Sequence, residues 1–266
     1  MNVSTCLNYY HKHHVQEYVI DKARVGYCIT HLKKHLGRKS VECLTPADGR
    51  QYEKKRSKKA GPGTIRRELG CLAAALNFCH ADGKLSLVPA LYLPAKPPSK
   101  KDWLTQDQAD LLIASAGERA ALFIEIGLAT GGRPEAIDVL KWSQVDLVNN
   151  LIDFNEPGRS QTAKRRPVVP ISEYLRERLV AAHERATTCY VLGSAASTRK
   201  CFETARNKAG LNWATRKTLR HTYCTWAVQR GVSLWKVAKV VGDTVDTVEK
   251  NYAHHHPDYL RDAVNY

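Results

Sequence analysis

The sequence predicts a mainly α-helical protein with a small antiparallel β-sheet confined to its second part. Three observations carry this reading. The N-terminal third reads as helices, with one clear apolar stripe at 64–79. A proline-rich stretch, "VPALYLPAKPPSKKDW" at 88–103, separates that third from a mixed second part. Within 143–171 two short runs flank an Asn-Asn turn and a third run follows, which is a pattern of short strands. The predicted organisation is a helical domain at 1–88, a linker at 89–103 and an α+β domain at 104–266.

Each element has a local reason. In "TPAD" at 45–48, Thr45 offers an N-cap oxygen and Pro46 the fixed φ suited to a first helical position. The basic run "KKRSKKAGPG" at 54–63 ends in a turn signal; it reads as a solvated loop or helix end that also suits phosphate contacts. In "TIRRELGCLAAALNFC", Ile65, Leu69, Leu72, Leu76 and Cys79 recur at intervals of 4, 3, 4 and 3, so they share one face, with Arg66 and Arg67 off it. After the prolines, "LTQDQADLL" restarts a helix with Thr105 and Gln108 in capping-box spacing. "ERAALFIEIGLAT" (118–130) reads as a buried helix, "SQVDLVNNLIDFNEPG" (143–158) as two strands and "RRPVVPI" (165–171) as a third. From Ser172 onward the pattern is helical, broken at "GLNW", "GVS", "GDT" and "HHHPD".

Composition narrows the function classes. The chain has 266 residues, 43% hydrophobic and 25% charged, within the ordinary range for a globular protein. No apolar run is long enough to span a bilayer, and "MNVSTCLNYYHKHH" lacks the apolar core of a signal peptide. The eight cysteines form no CxxC pair, which favours a reduced, cytoplasmic protein. Charge is more telling: the formal net charge is +15, and residues 1–100 hold 18 basic against 7 acidic side chains. A basic N-terminal third points to a polyanion, nucleic acid above all. His254, His255 and His256 resemble a metal site only at first glance. Adjacent helical side chains point about 100° apart, and metal motifs on helices use a spacing of four, so no metal is expected.

Four stretches in order carry a resemblance. "ATGGRPEAIDVLKWSQVDL" (129–147), "QTAKRRPVVPI" (161–171), "TLRHTYCTWAVQRGVS" (218–233) and "VVGDTVDTVEKNYAHHHPDYLRDAV" (240–264) resemble the catalytic domain of the tyrosine recombinases, the phage-integrase family. The basic helical region before them is similar to that family's core-binding domain. The resemblance implies a tyrosine that attacks a DNA phosphodiester, giving a 3′-phosphotyrosyl link and a free 5′-hydroxyl. It assigns the nucleophile to Tyr252, ten residues after Gly242, and the two arginines to Arg133 and Arg220. Planar guanidinium forks suit the nonbridging oxygens of a phosphoryl transition state. A leaving-group acid on a hairpin lysine falls on Lys164, and Lys217 stands where the family has His or Lys, with a base role open to it if two neighbouring arginines lower its pKa. His221 reads as structural. Taken alone, Arg133 reads equally as a surface arginine topping a helix, Tyr252 as a core residue in register with Val245 and Val248, and Tyr259 and Tyr266 as rival nucleophiles.

The chain departs from the family pattern at four places. Ala136 stands where an acid is usual, with Glu135 one residue earlier, and lysine replaces histidine at Lys217. Asp243 replaces a His or Trp that donates to phosphate; an ionised carboxylate accepts instead, so Asp243 is expected to turn away and bond Lys217 or cap the next helix. Ala163 follows Thr162 where a lysine is expected, which leaves Lys164 or a neighbour to serve.

The resemblance therefore implies a site-specific recombinase acting on double-stranded DNA as a homotetramer on paired sites. It would need no cofactor, would be joined in some cases by an accessory DNA-bending protein, and would work in the cytoplasm of a bacterium or a phage-infected host. Its two domains would clamp the duplex, with Lys58, Lys59, Arg66, Arg67, Arg165 and Arg166 as DNA contacts. No arm-binding domain is expected ahead of residue 1. Two rivals remain: an integrase-fold DNA-binding protein with weakened or lost catalysis, which Asp243 and Ala136 favour, and a monomeric type IB topoisomerase-like enzyme.

Overall fold

A computed structural model describes residues 1–97, 102–159 and 165–256. The chain divides into two compact units, Met1–Ser99 and Lys100–Tyr266. The first is all-helical. Helix α1 (Val3–Tyr10) passes through one π turn, His11–Val15, into the short α2 (Gln16–Tyr18). Then come α3 (Lys22–Leu36), α4 (Pro46–Arg56) and α5 (Pro62–Ala81). The stripe on α5 is the spine of this unit: Ile65, Leu69, Leu72, Leu76 and Cys79 are all buried against Val3 and Leu7 of α1 and Leu32 and Leu36 of α3. Each such side chain contributes about 1.5–3 kcal/mol by leaving water. Helix α4 starts as predicted. Thr45 and Asp48 form a reciprocal capping box, with the Thr45 amide 2.8 Å from Asp48 Oδ2 and Pro46 in the first turn.

The basic run that ends α4 is not uniformly solvated. Lys58 and Lys59 are exposed, but Arg56 is buried. Its guanidinium grips Glu68 of α5 at two points, 2.6 and 3.0 Å, and the Tyr52 hydroxyl donates to the same carboxylate at 2.7 Å. Burial by itself would raise the Glu68 pKa; the bonds from Arg56 and Tyr52 outweigh it and hold the carboxyl below its usual range. The proline-rich stretch is also less free than a connector. Tyr92 packs at Gly49, where an added Cβ would lie 2.9 Å from the Tyr92 carbonyl oxygen, and its hydroxyl donates to Glu53 at 2.9 Å. Residues 89–97 thus belong to the first unit's surface, and compactness extends that unit to Ser99.

The second unit is built around α7. Its helices are α6 (Gln106–Ala114), α7 (Glu118–Thr130) and α8 (Pro134–Asp138), followed by β1 (Val145–Asp146), β2 (Leu151–Asp153) and β3 (Val168–Pro170). The chain continues through α9 (Glu173–Glu184), α10 (Arg199–Lys208), α11 (Arg216–Gln229), α12 (Leu234–Val241) and α13 (Val245–Tyr252), ending the described part in a 3₁₀ turn, Ala253–His255. Helix α7 is buried on every side from Ala120 to Gly127, as its largely apolar run predicts; the one charge in that run, Glu125, pairs with Arg178 at 2.9 Å and accepts from the Tyr174 hydroxyl. It packs so closely on α11 that a Cβ at Gly127 would sit 2.8 Å from Leu219 Cδ1. The three strands form one antiparallel sheet in the order β1-β2-β3, with Val145 opposite Ile152 and Ile152 opposite Val169. The predicted Asn-Asn turn joins β1 to β2: Asp146 accepts from the Val148 and Asn149 amides, and Asn150 takes a positive φ of 55°. Among the described residues no helix is long and apolar enough to cross a membrane.

Candidate active site

Two helix ends create the site. Helix α7 closes at Gly131 (φ 62°) and α12 at Gly242 (φ 64°), both left-handed, a conformation in which a side chain is strained. Space excludes one as well: a Cβ at Gly131 would lie 2.6 Å from Tyr223 Cδ1, and one at Gly242 2.7 Å from the Arg165 carbonyl oxygen. These caps leave carbonyl oxygens pointing outward, the negative ends of the two helices, and both arginines dock on them. Arg220, on α11, donates to Gly131 O at 3.0 Å and Val241 O at 2.6 Å. Arg133, just ahead of α8, donates to Gly242 O at 3.0 Å, to Val241 O at 3.3 Å and to Arg165 O. Val241 O is thus shared by the two guanidiniums. Burial, and then the neighbouring Arg220, lower the Arg133 pKa, which is the signature of two cations held side by side.

Asp243 sits on this pair. Its Oδ2 lies 2.9 Å from Arg220 Nη2 and 3.8 Å from Arg133 Nη2, with the side chain 32% exposed. This corrects the expected role. Among the described residues Asp243 has no bond to Lys217; its Oδ1 accepts from the Thr244 amide at 3.3 Å, just ahead of α13, while the side chain that caps the helix is that of Thr244, accepting from the Thr247 amide. The physical reason is local charge: with two guanidiniums within reach, Oδ2 takes the charge-assisted bond and leaves Oδ1 for the adjacent amide.

Tyr252, at the end of α13, shares a cleft of about 390 Å³ with Arg133, Lys217, Arg220, His221 and Asp243. It is only 8% exposed, and its hydroxyl lies 2.6 Å from His221 Nδ1. Burial first, and then Cys224, push its pKa above the ordinary value, against the pull of Arg220. Cys224 itself is pushed up to about 11 by burial. His221, which the sequence suggests only as structural, is thus in direct contact with the candidate nucleophile. Lys217 is exposed at the cleft and has no hydrogen-bond or ion-pair partner among the described residues.

Behind the cleft is a cluster that sequence reading missed. Ala136 is buried in the core, and Asp138, two residues on, is the buried acid. Asp138 accepts from the Thr198 amide and hydroxyl at 3.0 and 2.7 Å and from Arg216 at 2.5 Å. Arg216 opens α11, so this ion pair ties α8 to the helix that carries Lys217 and Arg220. The only hint in the sequence is an acid slightly displaced from its usual position.

The expected DNA contacts are dispersed. Lys58, Lys59 and Arg67 are exposed on the first unit, while Arg66 is part-buried and donates to the Pro94 carbonyl, so it ties down the proline-rich segment. Arg165 is exposed, and Arg166 is half-buried with a pKa lowered by burial and by Arg159. Lys164, Tyr259 and Tyr266 lie outside the described residues. In the histidine run the His254 and His255 rings lie 4.0 Å apart, tilted by 41°, and His255 meets Trp103 edge-on at 4.5 Å.

Residues 102–258 match the model of the phage integrase family. The integrase of Salmonella phage P22 is 22% identical over 279 residues, covering 90% of this chain and 72% of the relative. The integrase of Escherichia phage 186 is 27% identical, covering 81% of this chain and 63% of the relative. The tyrosine recombinase XerC of Chlamydia trachomatis is 24% identical, covering 72% and 66%. Among solved structures, the Tn1549 transposon integrase in complex with transposon right-end DNA superposes with a TM-score of 0.84 at 16% identity, over 99% of this chain and 98% of that one. A lambda integrase dimer bound to a COC′ core site superposes at 0.77 with 15% identity, over 94% and 78%.

Proposed function

This chain belongs to the phage integrase family, and we propose that it is a site-specific DNA recombinase that breaks and rejoins strands through a 3′-phosphotyrosyl intermediate on Tyr252. The observation that carries the proposal is the shared cleft: two guanidiniums anchored on helix-end carbonyls, with one phenol hydroxyl beside them. Arg133 and Arg220 are preorganised to hold the nonbridging oxygens of a scissile phosphate, whose negative charge grows in the transition state. Tyr252 Oη attacks phosphorus and the 5′-oxygen leaves; Lys164 is the proposed acid for it. Because the ester energy is kept in the phosphotyrosyl bond, rejoining needs no nucleotide cofactor.

Double-stranded DNA is the proposed substrate, supported by integrase structures solved with DNA. The basic first unit, with Lys58, Lys59 and Arg67 exposed, is proposed as its core-binding domain, and Arg165 and Arg166 as further phosphate contacts. The proposed working assembly is a homotetramer on two sites. The test is a nicked suicide duplex cut from DNA flanking the gene. Wild type should become covalently attached at a 3′-end, and Tyr252→Phe should not. A protein that binds the duplex and leaves it intact would instead be the catalytically weakened DNA-binding form, for which the carboxylate of Asp243 on the arginine pair is the relevant observation.

A further inference from the structure

We propose that His221 is the proton acceptor for Tyr252, its Nδ1 taking the phenolic proton as Tyr252 Oη bonds to phosphorus. The inference rests on the reading of Tyr252 as nucleophile. Its basis is position. His221 Nδ1 lies 2.6 Å from the hydroxyl, within reach for direct transfer, and both groups line the cleft that holds Arg133 and Arg220. The transfer requires the tautomer in which the hydroxyl donates, Nδ1 accepts and the ring's own proton sits on Nε2.

The need for an acceptor follows from the surroundings. Tyr252 is 8% exposed, and burial disfavours its phenolate, so the proton must leave during the attack. Lys217 holds no hydrogen bond to Tyr252 among the described residues, whereas His221 does. The charged groups around the imidazole are Arg220 and Lys217 on its own helix and Asp102 ahead of α6. Cys224, also on α11, and Tyr252 on α13 are its uncharged titratable neighbours, and the 3₁₀ turn packed against α11 carries His254 and His255. Burial, then the two cations, hold His221 below its ordinary pKa, outweighing Asp102. The ring is therefore neutral at pH 7, with a lone pair facing the phenol.

The step balances. The Tyr252 O–H bond breaks and its proton passes to Nδ1, making imidazolium, while the Oη–P bond forms. The P–O5′ bond breaks, its electron pair stays on O5′, and that oxygen takes a proton from the leaving-group acid. In rejoining, the 5′-hydroxyl attacks and departing Oη recovers its proton from His221.

The experiment is single-turnover cleavage of the nicked suicide duplex by the full chain, followed from pH 5 to 9 for wild type, His221→Ala and His221→Asn. Asparagine keeps an acceptor near the place of Nδ1, so it can hold the hydroxyl, but it cannot take up a proton at these pH values. Wild type should lose rate only below about pH 6.5, where imidazole protonates. Both variants should bind the duplex normally, cleave about 10²–10⁴-fold more slowly at pH 7, and gain rate steadily up to pH 9. Restoration of wild-type rate and profile by His221→Asn would overturn the inference, because holding the hydroxyl would then suffice. If His221→Ala fails to fold, His221→Asn alone decides. Wild-type adduct that is lost in Tyr252→Phe and unaffected in both His221 variants removes only this inference, whereas a wild type that forms no adduct removes the recombinase reading and the inference with it.

Discussion

Asp243→Asn should strengthen the grip of this protein on its scissile phosphate. The Asp243 carboxylate occupies the arginine pair, 2.9 Å from Arg220 and 3.8 Å from Arg133. A phosphate that takes those guanidiniums must displace it. With the Asp243 side chain 32% exposed and Arg220 14% exposed, the ion pair is worth about 1–2 kcal/mol, between the surface and buried limits. Removing that competitor corresponds to about a 5–30-fold gain in affinity for a duplex containing the cleavage site. The arginines should keep their places without it, because Gly131, Val241 and Gly242 carbonyls hold them independently. Asparagine can also donate to a phosphate oxygen, which aspartate cannot. The assay is fluorescence-anisotropy titration of the intact site at fixed salt, in the Tyr252→Phe background so that cleavage does not distort the equilibrium. An affinity that is unchanged or weaker at an unchanged melting temperature would refute the reasoning, and would mean that Asp243 orients Arg220 instead of competing for it.

Tyr252→Phe should abolish the SDS-resistant protein–DNA adduct and leave affinity within about threefold, since only a buried hydroxyl is lost; adduct persisting through Tyr259 would overturn the assignment. Lys58→Ala and Lys59→Ala, both at exposed positions, should each reduce the slope of log affinity against log salt by about one if each meets a phosphate; parallel salt titrations with identical slopes would remove them from the interface. Glu68→Ala should destabilise the first unit by about 3–5 kcal/mol, because it strands the buried Arg56 and Tyr52, and urea unfolding measures it. The folded-state pKa of Glu68 is depressed, so its contribution is present above the unfolded carboxyl pKa and lost as pH falls through the lower folded value. Wild-type stability should fall over that acid window, and Glu68→Gln should flatten the fall; equal pH dependence in the two proteins would refute it.

Much of the local architecture was legible because it depends on neighbours within four residues. The α5 stripe, the Thr45 and Thr105 caps, the buried run of α7 and the Asn-Asn turn each follow from spacing or from side-chain–backbone chemistry within one element. The ordered motifs also marked Arg133, Arg220 and Tyr252 as candidates, and these line one cleft. Contacts between distant segments were not legible. Arg56 lay in a run that reads as solvated, yet its partner on the next helix buries it. Arg66 read as a DNA contact, yet it holds the Pro94 carbonyl 28 residues away.

The site divides in the same way. The sequence by itself determined which residue types are present and supplied glycines at 131 and 242, the residue type that most readily takes the left-handed backbone at which two helices end. Only the tertiary structure decided what those ends face. It set the Val241 carbonyl between two guanidiniums, brought Asp243 onto Arg220, and placed a histidine of α11 on the hydroxyl of α13. A carboxylate, an imidazole and a phenol take their roles from the charges and lone pairs within about 3–4 Å of them, and packing, not position along the chain, decides which those are.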